Sequence, residues 1–240
     1  MSNDRPLILA LDTATSCSSV ALTIGEVHDG ELVAALSLNS KITHSRRLLT
    51  GIDWLLSENH IDLSEIDGLA VGLGPGSFTG LRIAMATIKG LATAMDKPLL
   101  GVSTLDALAL NCSGEKPLCA LIDARKKEVY RRWYLPDDRG VYRVQGKIEA
   151  LTPDKLALES TEPALFVGDG LFSYGEQLKE SLGDRMTMAP RSLHYPSAAA
   201  VGYLCCEQLQ NGIVMDLDSA VPLYVRVSDA ELSLIKKKNN

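Results

Sequence analysis

The 240-residue sequence is poor in aromatic residues, at 5%, and holds only four histidines. His28, His44, His60 and His194 stand far apart, in neither H-x-x-x-H nor H-E-x-x-H spacing, which leaves zinc or iron chemistry without a local seat. Each histidine reads as a surface or turn residue. The five cysteines, Cys17, Cys112, Cys119, Cys205 and Cys206, are odd in number and lack C-x-x-C spacing, which argues against a disulfide framework or zinc cage and for buried free thiols. A G-x-S-x-G nucleophile elbow is missing and no cysteine has a local base, so no complete catalytic apparatus is legible. Long apolar runs are missing as well. The opening MSNDRPLILALDTAT is interrupted at Asp12, supporting neither a signal peptide nor a membrane helix, and the expected location is the cytoplasm. Basic charge is in deficit, with 24 Lys and Arg against 30 Asp and Glu. A net charge of −6 argues against a chain that grips nucleic acid alone through counterion release, and leaves a local basic patch open.

What is present is enough apolar content, 46%, for a substantial core in one large or two small domains. A short apolar run over 7–11, ending at Asp12, and strand-like alternation over 18–25 and 30–38 predict an opening meander of three strands. Residues 43–60 change to helical period, with Leu48, Leu49, Ile52, Leu55 and Leu56 on one face and Thr43 or Ser45 as N-cap. A strand over 67–74, a helix over 77–96 and a strand over 98–103 follow, a β-β-β-α-β-α-β order that implies a mixed sheet covered by helices. The loop NCSGEKP, 111–117, marks a domain boundary. Beyond it, 118–135 predicts a strand, turn and strand, 164–170 a strand, and 174–182 and 197–210 helices; the closing lysine run reads as a solvated end.

Two stretches carry candidate chemistry. Asp12 ends the first strand before Thr13, Thr15 and Ser16, a placement that suits a magnesium-bound phosphate and equally an Asx turn. In GLGPGSFTGLR, 72–82, Gly74 and Gly76 permit positive φ, Pro75 stiffens the turn, and Ser77 can cap a helix whose free N–H groups would favour an anion. Neither G-x-x-x-x-G-K-[ST] nor G-x-G-x-x-G is matched, so a tight strand-to-helix turn stands beside the phosphate reading. The helix itself has two stripes: Leu81, Met85, Ile88, Ala92 and Met95 on one, and Gly80, Ala84, Thr87, Leu91 and Ala94 on the other, with charge only at Arg82 and Lys89. Such a helix is buried between layers or lets another helix approach closely. Trp54 projects off the main stripe of the preceding helix, with Arg47 on its side.

The segments LALDTATSCSSVAL, HSRRLL, GLGPGSFTGLRIAMATIKGLA and GVSTLDALAL, extended by IDARKKEVY, VGDG and PLYVR, together resemble the TsaB family, also called YeaZ. The resemblance implies an α/β chain of the actin-like ATPase fold with two RNase H-like subdomains, mixed sheets flanked by helices, over 1–110 and 111–240, with a late helix able to pack back on the first. It implies a noncatalytic subunit that binds and activates TsaD for threonylcarbamoyl transfer to the tRNA adenosine beside the anticodon. TsaE would be a further partner and tRNA an indirect one through the complex, while homodimer and monomer both stay open for the isolated chain, an apolar helix face that needs cover making self-association plausible. It implies a partner interface on the N-terminal helices, including His44, Arg47, Trp54, Gly80, Ala84, Thr87 and Leu91, and a nucleotide-loop remnant at Asp12, Thr13, Gly74, Gly76 and Ser77.

Departures from TsaD bear on mechanism. Its N-H-L-E-[AG]-H metal segment is met here by GVSTLDALAL, with Thr104 and Leu108 in place of the two histidines, and neither offers a neutral nitrogen. The second phosphate loop of the fold is met by IDARKKEVY, which has no glycine. No cofactor is therefore expected on this chain, with ATP and metal on the partner proteins. An autonomous ATPase or phosphotransferase is the alternative, and a metallopeptidase a more remote one.

Overall fold

The computed structural model describes residues 5–39 and 44–226, without side-chain detail at 44–47. Two five-stranded sheets organise the chain. In the first, β1 (Leu7–Asp12), β2 (Cys17–Ile24) and β3 (Glu31–Asn39) form the expected antiparallel meander, and β4 (Gly68–Gly72) and β5 (Leu99–Val102) extend it in parallel, giving the order β3-β2-β1-β4-β5. The second repeats that plan: β6 (Leu118–Arg125), β7 (Glu128–Pro136) and β8 (Tyr142–Leu151) are antiparallel, and β9 (Ala164–Val167) and β10 (Met186–Met188) add in parallel on the other side of β6. The central strands β1, LILALD, and β6, which opens LCALID, are counterparts, each with an aspartate at its sixth position, Asp12 and Asp123.

Period-2 alternation distributes the strands over two faces. On β1, Leu7, Leu9 and Leu11 face α1 (His44–Glu58) and α2 (Phe78–Met95), packing against Leu48, Ile52, Leu55, Met85 and Ile88. Ile8 and Ala10 face the opposite way, toward α6 (Ala198–Gln210) and Ala107 of α3 (Thr104–Leu110). Small residues, Ala198 to Ala200 and Gly202, let α6 lie close on that face; a Cβ at Gly202 would collide with Thr23. The other side of α3 presents Leu105 and Leu108 to Leu118, Ala120 and Ile122 of β6. A last layer, α4 (Pro153–Glu159) and α5 (Gly170–Leu182), covers the far face of the second sheet through Leu156, Leu178 and Leu182. The helices α3 and α6 thus lie between the sheets.

The sequence reading omits α3, β8, α4 and β10. The first and third are seven residues long and β10 only three, too short to develop a period, and β8 is an edge strand with a polar, exposed middle. All five thiols are free and buried. His194, read above as a surface residue, is instead buried at 3% exposure: its Nδ1 accepts from the Gly168 N–H and its ring meets Phe172 edge-on. Burial holds its imidazole below the ordinary pKa.

The C-terminal segment runs back along α2. The Met215 N–H donates to Leu99 O, Lys89 Nζ donates to the carbonyls of Asp218 and Ala220, and the Leu223 N–H donates to Leu73 O. Tyr224 stacks on Phe78 at 4.9 Å and accepts from Arg82 Nε. The two charges of α2 therefore hold the segment from Asp218 to Tyr224. Arg226 then crosses to Glu128 at the root of β7, 2.6 Å away.

Candidate functional site in the cleft between the sheets

A cleft of about 500 Å³ opens between the two halves, bordered by the β1–β2 turn, the start of α2, the β6–β7 hairpin and the start of α5. Asp12, at the root of the β1–β2 turn that borders it, is 1% exposed. Its Oδ1 accepts from the Ala14 N–H at 2.8 Å and its Oδ2 from Thr104 Oγ1 at 2.7 Å; the Thr104 hydroxyl in turn accepts from the Gly74 N–H. Room for the carboxylate comes from Gly72, where a Cβ would collide with it. Burial pushes Asp12 up to about 6, against the opposing pull of the hydrogen bonds from Ala14 and Thr104.

The glycine-rich stretch proves to be a splice between elements. Gly74 holds φ of 101° and its carbonyl accepts from the Thr104 N–H and Ser103 Oγ. Gly76 abuts Ala14, and the Ser77 N–H donates to Ala14 O. Ser77 caps α2, its Oγ accepting from the Gly80 N–H. Thr13 Oγ1 donates to Gly80 O at 2.7 Å, an approach only glycine allows, since a Cβ at 80 would strike the Thr13 carbonyl. Asp12, Thr13, Gly74, Gly76 and Ser77 are therefore brought together as one knot joining β1, β4, α2 and α3.

That geometry corrects one expectation. Gly80 and Ala84 are buried inside the chain, against the β1–β2 turn and the first sheet, and cannot form a partner-facing stripe. The open face of α2 is turned a quarter of the helix away, at Ala86, Gly90 and Ala94, with the half-buried Thr87 and Leu91 at its border. A Cβ at Gly90 would meet none of the described residues within 4 Å. On the neighbouring α1, Trp54 and Leu49 are exposed at 51% and 54%. His44 and Arg47 lie outside the described side chains, although their backbone belongs to α1.

The metal segment implied by TsaD has no counterpart here. Thr104 is buried and engaged by Asp12, and Leu108, one turn on, sits in hydrocarbon with Leu118 and Ile122. Among the described residues no group of three His, Cys, Asp or Glu could hold a metal ion. These residues do not fit the metal.

The opposite wall was missed by sequence reasoning. Asp169, at the N-cap of α5, accepts from the Asp123 N–H at 3.0 Å and is pushed up to about 6 by burial, with the Asp123 carboxylate adding to the rise. Asp123 accepts from the Arg125 N–H and from Ser173 Oγ. The signal available was the match between LALD and ALID and between VGLG and VGDG, which only the repeated sheet order makes interpretable. Arg125 pairs with Glu128, leaving Lys126 and Lys127 as a two-residue hairpin loop. All three cations hold positive φ, at 60°, 53° and 62°, a conformation that costs an L residue roughly 1–2 kcal/mol and that Asn-Gly fills most readily.

No helix among the described residues is long and apolar enough to cross a membrane. Residues 38–234 match the family model for TsaD, tRNA N6-adenosine threonylcarbamoyltransferase. The chain is similar to the tRNA threonylcarbamoyladenosine biosynthesis protein TsaB of Escherichia coli, at 32% identity over 91% of this chain and 94% of the relative. It is 27% identical to the TsaB of Bacillus subtilis over 96% of this chain and 99% of that one. Among solved structures, YeaZ from Pseudomonas aeruginosa superposes with a TM-score of 0.72 at 32% identity, covering 91% of this chain and 99% of that one. With relatives matched over nearly its whole length and a solved relative sharing the fold, the chain belongs to the TsaB (YeaZ) family.

Proposed function

We propose that this chain serves tRNA threonylcarbamoyladenosine biosynthesis as a noncatalytic subunit that pairs with TsaD and activates it, with TsaE as a further member of the assembly. The observation that carries the reading is the closed state of the knot around Asp12. In a phosphate- or metal-handling site that carboxylate would face solvent, metal or substrate; here it is sealed by Thr104 and Ala14, and the residues in the positions of TsaD's histidines are a hydroxyl already engaged and an alkyl chain. The pairing surface is the outer face of α1 and α2, where Trp54 and Leu49 stand exposed beside Ala86, Gly90 and Ala94. Small residues there permit close approach of partner helices, and exposed apolar groups gain from being covered. The same face would join two copies of the chain when TsaD is absent.

The test is a reconstituted reaction containing TsaD, TsaE, the carbamoyl-adenylate synthase, ATP and tRNA, with and without this chain. Strict dependence of tRNA modification on the chain, with no ATP hydrolysis by the chain alone, is the expected result. Full activity in its absence would overturn the reading, and ATP turnover by the isolated chain would favour an autonomous ATPase.

A further inference from the structure

The β6–β7 hairpin carries a strongly charged tip that the subunit reading leaves unused. Arg125, Lys126 and Lys127 occupy successive positive-φ positions, the last two forming the whole loop, where Asn-Gly would satisfy the turn with no strain. The geometry of the turn does not account for three long cationic side chains at that place. Arg125, 84% exposed and 3.4 Å from the Asp123 carboxylate, and Lys126 border the cleft together with Arg226, and Lys127 is exposed. Across the cleft, the Phe172 ring meets His194 and Tyr195 at 5.4 Å and lies under the Arg191 guanidinium at 5.1 Å, yet stays 41% exposed.

We propose that this hairpin and the Phe172 wall form an RNA-contacting rim, on which Arg125, Lys126 and Lys127 meet successive phosphodiesters and Phe172 offers a face for an unstacked base. A row of cations beside an exposed aromatic ring is the arrangement by which proteins hold single-stranded RNA. The acidic groups nearby favour a strand over a free nucleoside triphosphate. Asp123 and Asp169 line the same cleft, and Glu128 neutralises Arg226, so the dense charge of a triphosphate would be opposed where the single charges of a diester strand, spread along the rim, are not. The bulky loop side chains also leave no bare backbone N–H cradle of the kind that grips a triphosphate. The overall charge of −6 confines any such attraction to this local patch. That the RNA is a tRNA rests on the pathway reading above.

The decisive variant is Lys126→Asn with Lys127→Gly, which relaxes the turn while removing two charges. Fluorescence anisotropy with a labelled tRNA transcript, on the chain alone and on its complex with TsaD, reads the affinity over a salt series. The expected result is a variant with an unchanged or higher melting temperature, pairing with TsaD as before, whose tRNA affinity falls about tenfold at low salt and whose log–log salt slope drops by about two. Equal affinity of variant and wild type, or no tRNA binding in either form beyond that of TsaD alone, would overturn the inference. Displacement of the tRNA by stoichiometric ATP, with ATP binding lost in the variant, would overturn it in favour of a nucleotide site. A chain that binds tRNA through the hairpin yet fails to pair with TsaD would sink the subunit reading and leave this one standing.

Discussion

Replacing Asp12 by Asn should stabilise the protein at neutral pH and remove a pH dependence that the wild type carries. In the folded chain burial pushes Asp12 up to about 6 from an ordinary 3.8, and the side chain is sealed from water. Below about pH 4 both folded and unfolded states hold the proton and the group contributes no pH dependence. As pH rises from about 4 to about 6 the unfolded chain has released the proton while the folded chain keeps it, so stability falls; above about 6 both are ionised and the loss is complete. A displacement of about two pH units corresponds to a total loss of about 3 kcal/mol, of which about 2 kcal/mol falls between about pH 4.5 and about pH 7.5. An Asn at position 12 keeps an oxygen for the Ala14 N–H, offers its amide to the Thr104 hydroxyl, and does not titrate over this range. Urea unfolding followed by circular dichroism at the two pH values measures the effect. The stability of the variant relative to wild type should grow by about 2 kcal/mol between them. A difference that stays constant across this range would refute the reasoning, because it would mean that the Asp12 carboxylate is ionised at no cost in the folded state.

The α2 helix separates two substitutions that look equivalent on a helical wheel. Ala84→Glu buries an unpaired carboxylate in the first core and should cost about 4 kcal/mol or more, seen as loss of soluble folded protein, whereas Gly90→Arg should leave the melting temperature nearly unchanged and abolish co-elution with TsaD on gel filtration. A folded, soluble Ala84→Glu protein would contradict the burial. Ellman's reagent should modify none of the five thiols on mixing with native protein and all five in denaturant, since each is buried and desolvation raises their pKa values, Cys112 and Cys206 to about 11. A thiol titrating rapidly in the native state would place that cysteine at an opening.

Much of the first half was legible because its elements are long and punctuated. The residues 77–96 read as a helix from period and cap, and the structure gives Phe78–Met95 with Ser77 as N-cap. The three-strand meander was equally plain from an apolar run followed by two alternating stretches. The second half was less so, because β8 lies at a polar edge and β10 contributes only three residues. The same limit applies to the site. Asp12, Thr13, Gly74, Gly76 and Ser77 belong to two motifs that draw the eye, and the fold assembles them; Asp169, in the VGDG segment, and Phe172, in the first turn of α5, acquire chemical meaning only from what faces them.

The sequence by itself determined the alternation that gives each strand two apolar faces, the caps and glycines that start α2, the absence of a histidine pair for metal, and the family resemblance. These follow from local backbone preference and residue chemistry, which need no partner in space. Which flank of α2 is covered was decided only by the tertiary structure. A helical wheel shows a large apolar stripe and a smaller-residue stripe but not that Thr13 closes over Gly80 while none of the described residues approaches a Cβ at Gly90 within 4 Å. The pairing of Asp12 with Thr104, ninety-two positions on, and the meeting of Arg226 with Glu128 were decided in the same way, by a sheet order that brings distant strand ends to one cleft.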